Sequence, residues 1–280
     1  MKTYREFLSG PRDIPTVVAH RGAWHGAPEN SIAAIEAAAQ AGFEIVEIDV
    51  RRSADRVFFV MHDDTLDRTT DRGGACEALT MAQLRETSLR SSDGGCDRPL
   101  TAKSVPSLEE ALEAARDRIY LDIDIKDPAN SVAVAELVAA CGMAGQADIK
   151  VHVTDAASAE TQMKLRDAFD IVVMPKMRFE RDTVEARLDL MMEMRPDMVE
   201  TSFDNLGTIA SISDRFRTLG AAMWVNTLRG TISDDLCDRS AVADADAVWG
   251  ALVAAGVSII QTDEPELLKS YRNARRQAAE

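Results

Sequence analysis

The chain has 280 residues, long enough to bury a substantial core as one large domain or two small ones. With 46% apolar and 28% charged residues, its composition is ordinary for a soluble globular protein. The net charge of −15 argues against nucleic acid or an anionic membrane as the main partner, and an anionic substrate would need positive charge supplied locally.

The first residues, MKTYREFLSGPRDIP, lack the apolar stretch of a signal peptide. No run has the length of a spanning helix, so no membrane insertion is expected. Cys76, Cys96, Cys141 and Cys237 show no CxxC spacing, and a cytoplasmic protein with free thiols is the simplest reading. Short β-branched runs then alternate with Ala-rich amphipathic stretches. Strands are predicted over 16–20, 43–50, 118–125, 148–153, 171–174, 198–201, 221–225 and 257–261. Helices are predicted over 30–41, 107–116, 131–141, 156–168, 181–195, 205–219, 244–255 and 264–277. This alternation predicts an α/β fold, a (β/α)8 TIM barrel. An open doubly wound sheet is the runner-up, but no GxGxxG turn follows the first strand. His20, Asp49 and Lys126 fall at C-terminal strand ends, where a barrel forms its active face.

Residues 51–104 break the alternation, too long for an ordinary strand-to-helix connection. The segment opens on VFFVMH, an expected extra strand ending at His62. It continues through polar, Gly-rich loop with one short helical run, MAQLRETSL. We read it as a capping insertion after the second strand of a single domain over 1–280, with too small a core to stand alone. It is expected to shape substrate choice more than chemistry.

The stretch from His20 to Asp63 carries the chemistry. In GFEIVEIDV, Glu47 and Asp49 leave one face of a strand, and Val46, Ile48 and Val50 the other. In RIYLDIDIKD, Asp122, Asp124 and Lys126 share a face in the same way. Aligned carboxylates on a buried strand are costly unless a cation neutralises them, and carboxylates converging from two strands suit a hard divalent ion, Mg2+ or Ca2+. His20 and His62 add imidazoles that can exchange protons near neutral pH. Arg21 offers an anion a bidentate fork, and Lys126 a point charge. Asn30 precedes an apolar helical run, so N-capping alone could explain it. Trp224 could form an apolar wall or sit in the core. His25, His152 and Lys176 could line a site or lie at the surface.

The strings AHRG (19–22), PENS (28–31), EIDV (47–50) and HDDTLDRTT (62–70) resemble the glycerophosphodiester phosphodiesterase family. VPSLEEAL, MWVN and QTDEP extend the resemblance along the chain. The resemblance implies a metal-dependent enzyme that hydrolyses glycerophosphodiesters to sn-glycerol 3-phosphate and an alcohol. It assigns His20 and His62 as the acid/base pair and Glu47, Asp49 and an acidic residue of the third strand as metal ligands. Asp124 matches that last position, where the family more often carries Glu, and Asp122 is a substitute. Arg21, Glu29, Lys126 and Trp224 would meet the substrate. Other phosphodiesters (a lysophospholipid, an inositol- or sugar-containing diester) and a non-catalytic barrel that binds phosphorylated metabolites are the alternatives. A homo-oligomer is left open.

Overall fold

The structure is a computed structural model that describes residues 1–10, 14–232 and 234–279. Its elements, in chain order, are α1 (Tyr4–Leu8), β1 (Thr16–Ala19), α2 (Ile32–Ala41), β2 (Ile45–Arg52), β3 (Phe58–Val60), α3 (Met81–Arg85), α4 (Leu108–Ala115), β4 (Tyr120–Ile125), α5 (Ser131–Ala140) and β5 (Ala147–His152). There follow α6 (Ala156–Phe169), β6 (Val172–Phe179), α7 (Val184–Met194), β7 (Met198–Phe203), α8 (Leu206–Leu219), β8 (Ala222–Asn226), α9 (Asp238–Ala243), α10 (Ala251–Ala254), β9 (Ile259–Thr262) and α11 (Pro265–Ala279). Apart from β3, the order is that of a (β/α)8 chain, the class expected from the sequence. No helix among the described residues is long and apolar enough to cross a membrane.

The chain divides into two compact units, one of residues 19–149 and one of residues 2–18 with 150–280. In the first, β2 pairs in parallel with β4, and β4 with the start of β5. The β2–β4 register sets Glu47 beside Asp122 and Asp49 beside Asp124, so carboxylates from both strands leave one face. Helix α2 starts at Ser31, whose hydroxyl accepts from the Ala34 N–H, and ends at Gly42 in the left-handed conformation. In the second unit, β6, β7, β8 and β9 pair in parallel in sequence order.

Several boundaries move. β2 runs to Arg52, not Val50, because its last residues pair antiparallel with β3, Arg52 opposite Phe58. β6 runs to Phe179 instead of ending near Met174. Pairing with β7 carries it past Pro175 and puts Lys176 inside a strand, opposite Glu200. The helix expected over 244–255 is a π-helical turn, Asp246–Gly250, leading into α10, with α9 before it. The short α1 carries a capping box between Thr3 and Glu6, a T-x-x-E signal visible in the sequence but not used.

The insertion has its own apolar cluster: Phe59, Met61, Leu66, Cys76, Met81, Leu84, Leu89 and Val105 are buried together. The expected strand ends at Val60, short of His62. The chain then passes β2, where the Met61 N–H donates to the Asp49 carbonyl at 2.9 Å, which delivers His62 beside the carboxylate strand. All four cysteines are free.

Candidate active site

The residues leaving β1 are His20 and Arg21. Arg21 has φ 56 and Gly22 φ 88, a left-handed turn right after the strand. A Cβ on Gly22 would lie 2.6 Å from the Ala34 side chain and 2.8 Å from its backbone, so only glycine lets the loop return along α2. The turn aims the Arg21 backbone N–H at Glu47 Oε2, 3.0 Å away. The Arg21 guanidinium reaches both oxygens of Glu29, at 3.1 and 3.3 Å, and Asp49 Oδ2 at 3.2 Å. Holding a non-glycine residue at positive φ costs free energy, and such strain collects where surroundings over-determine a functional geometry.

Asn30, also at positive φ (53), does not cap α2; that role falls to Ser31. Its amide clamps Asp49 from both sides. Nδ2 donates to Asp49 Oδ2 at 2.7 Å, and Oδ1 accepts from the Asp49 N–H at 3.1 Å. Lys126 bridges Asp49 Oδ1 at 2.5 Å and Asp124 Oδ2 at 2.8 Å. Burial alone would raise the Asp49 pKa, but Lys126, Arg21 and His62 outweigh it and hold the carboxyl down at about 2. Burial likewise works against the Lys126 charge, yet Asp49 and Asp124 keep it above the usual lysine range.

His20 Nε2 lies 4.0 Å from Glu47 Oε2 in a nearly closed environment. His62 is more open, and its Nδ1 sits 2.7 Å from Asp63 Oδ1. Hydrogen bonding from His62 and then Arg68 holds Asp63 well below the ordinary carboxylate range. Asp63 therefore stays an acceptor, which favours a proton on His62 Nδ1. Arg51 steadies the same residue by donating Nε and Nη2 to the His62 carbonyl at 3.0 and 2.8 Å.

A carboxylate with a depressed pKa favours the fold only while ionised. Asp63 thus contributes stability above its unfolded pKa of about 3.9, and that contribution is lost as pH falls through the lower folded value. Asp63→Asn should melt lower near neutrality and show a shallower loss of Tm on acidification below pH ~4. Parallel melting curves across that range are the check, and an equally steep acid limb in the variant would contradict the assignment.

The structure thus gathers His20, Arg21, Glu29, Glu47, Asp49, His62, Asp124 and Lys126 in the first unit. Glu47, Asp49 and Asp124 each offer a ligand oxygen, all within 4.8 Å of one another. Trp224 is wholly buried on β8 in the second unit, where its Nε1 donates to Asn226 Oδ1 at 2.6 Å and Lys150 lies over its ring. His25 stacks on Trp24 with ring centroids 4.4 Å apart, and His152 is exposed at the end of β5. Arg68 is the contributor that sequence reasoning passed over. Its only signal was its place in HDDTLDRTT.

A model described as the Glycerophosphoryl diester phosphodiesterase family matches residues 20–185, and one for a domain of unknown function matches 173–272. The chain is 37% identical to Glycerophosphodiester phosphodiesterase 1 of Mus musculus over 126 residues, which is 45% of this chain and 38% of that protein. It thus spans well under half the length of that curated relative. A Parabacteroides distasonis glycerophosphoryl diester phosphodiesterase structure shares the fold at a TM-score of 0.77 and 22% identity, covering 98% of this chain and 93% of that one. An Oleispira antarctica phosphodiesterase, solved with its product sn-glycerol-3-phosphate, aligns at a TM-score of 0.65 and 21% identity, covering 92% of this chain and 96% of that one.

Proposed function

The chain belongs to the glycerophosphoryl diester phosphodiesterase family, and from that premise we propose that it hydrolyses glycerophosphodiesters to sn-glycerol 3-phosphate and an alcohol, using one divalent cation, Mg2+ or Ca2+. The observation that carries the reading is one cluster holding two imidazoles, three converging carboxylates and two cationic side chains. The product bound to the Oleispira antarctica relative is of the same kind. The family match crosses residues 149 and 150, which supports reading 1–280 as one domain with an insertion.

The donor set fits the cation. It is all oxygen, as hard divalent ions require. Three carboxylates, two of them buried, converge there, an arrangement that added positive charge relieves. Glu47, Asp49 and Asp124 would hold the ion. It would supply charge stabilisation to the phosphodiester oxygens and lower the pKa of a hydroxyl it binds.

The chain's own groups divide the remaining work. Arg21 and Lys126 bring positive charge to a phosphate on an otherwise acidic protein, and their carboxylate partners hold them in place. Glu29 positions Arg21. Cleaving a phosphodiester needs a base at the attacking oxygen and an acid at the leaving one, and His20 and His62 are the imidazoles available for these transfers. Purified protein incubated with glycerophosphocholine and Mg2+ or Ca2+, followed by phosphorus NMR, should release sn-glycerol 3-phosphate. EDTA should abolish turnover, and added metal should restore it. Full activity in metal-stripped protein would refute the cation, and no turnover across a panel of glycerophosphodiesters would refute the substrate class.

A further inference from the structure

We propose that Arg68 is a positioning residue that sets the orientation and tautomer of His62, so that the insertion takes part in proton transfer instead of only flanking it. The inference rests on the reading of His62 as an acid/base group.

A guanidinium carries five N–H donors in a fixed fork. Every one from Arg68 finds an acceptor. Nε and Nη2 donate to Asp63 Oδ2 and Oδ1 at 2.7 and 2.9 Å. Nη2 and Nη1 donate to Glu29 Oε1 and Oε2 at 2.7 and 2.8 Å. The fifth bond goes from Nη1 to the Asp93 carbonyl. Two bidentate pairs on one planar group leave neither carboxylate free to rotate. Asp63 Oδ1, the oxygen on His62 Nδ1, is thereby fixed in direction and kept ionised. The imidazole that it orients must present Nε2.

The opposite side of the fork reaches the other catalytic loop. Glu29 is almost wholly buried and shares its two oxygens between Arg68 and Arg21, which itself pairs with Asp49. One guanidinium therefore connects His62 in the insertion to the arginine after β1. Its own position is set by the turn at 92–95. Gly95 N–H donates to the Arg68 carbonyl at 2.7 Å, and the Ser92 carbonyl accepts from the Glu29 N–H at 2.9 Å. A Cβ on Gly94, at φ 74, would stand 2.6 Å from that Arg68 carbonyl oxygen. The turn SSDGG, an unremarkable polar loop in the sequence, thus encloses Arg68 and Glu29 together. A lysine, with one ammonium, could not bond both oxygens of both carboxylates.

The test compares wild type, Arg68→Ala and Arg68→Lys in two ways. Kinetics on glycerophosphocholine should show kcat lowered about 10- to 100-fold in Arg68→Ala, with KM changed less than about threefold and part of the kcat regained in Arg68→Lys. Two-bond proton–nitrogen NMR of labelled histidines, with His62 assigned through His62→Ala, should show an Nδ1–H imidazole in wild type and a tautomer mixture in Arg68→Ala. A residue that only fastened the insertion would lower Tm without moving that tautomer. Retention of kcat, a loss confined to KM, or an unchanged His62 tautomer would overturn the proposal, as would failure of both variants to fold. If the wild-type protein turns over no glycerophosphodiester, the functional reading falls, while the tautomer comparison still decides the role of Arg68.

Discussion

Replacing His62 by alanine should lower turnover of glycerophosphocholine at least about 100-fold, and His20→Ala should cost as much, since each removes one of the two proton-transfer groups. The fold should survive both changes. His62 keeps 39% of its side chain exposed, and its Nδ1 is hydrogen-bonded to Asp63; His20 lies at the end of β1 against Glu47. Little apolar surface is lost in either variant, so His20→Ala should melt near wild type, while His62→Ala gives up the hydrogen bond to Asp63 and should melt modestly lower, as Asp63→Asn does. Because acid and base serve one displacement, one at the bond that forms and one at the bond that breaks, the effects should not add. The double variant should be little slower than the worse single one, as for groups that work as a unit. Near-wild-type turnover in a correctly folded single variant would remove that histidine from the mechanism. Fully multiplicative losses in the double variant would mean that the two act in separate steps.

The carboxylate face was legible because strand alternation is a local property. Once GFEIVEIDV and RIYLDIDIKD are read as strands, Glu47 with Asp49, and Asp122 with Asp124, must share faces. Alternation says nothing of register, however. That Asp49 lies beside Asp124, and Glu47 beside Asp122, comes only from how β2 and β4 pair. Asn30 shows the same limit. A short polar residue before an apolar helical run is a reasonable N-cap, and the neighbouring Ser31 offers the same chemistry. Only the left-handed turn at Asn30, which sends its amide to Asp49, separates the two roles. Arg68 was hidden more deeply. It lies 39 residues from Glu29 in the chain, and no periodicity links an arginine in one loop to a carboxylate in another. β6 extends beyond the apolar run 171–174 because its ladder to β7 lies on the far side of Pro175, and that pairing is not a local property.

Asp124→Asn should weaken Mg2+ or Ca2+ binding by at least about tenfold, since removing a unit charge a few ångströms from a divalent ion costs more than 1.4 kcal/mol at any intermediate dielectric. Asp122→Asn should be milder. Both residues lie on one face of β4, but Asp124 is nearer its C-terminal end and falls with Glu47 and Asp49 in the set of oxygens within 4.8 Å, which does not include Asp122. Asp122 is wholly buried beside Glu47 in register, so its replacement should register first in the melting temperature. Asp124→Asn has a second consequence. Lys126 loses one of the two carboxylates paired with its ammonium and keeps Asp49. The lysine should then compete harder for Asp49, which adds to the loss of metal affinity. Asp124→Glu restores the charge one methylene further out, in the residue type more common in the family, and should keep substantial activity. Calorimetric titration of each metal into the three metal-stripped variants reads these differences directly. If Asp122→Asn proves the more damaging to metal affinity, the ligand assignment on β4 is wrong by two residues, and the cation belongs deeper along the strand, between Glu47 and Asp122.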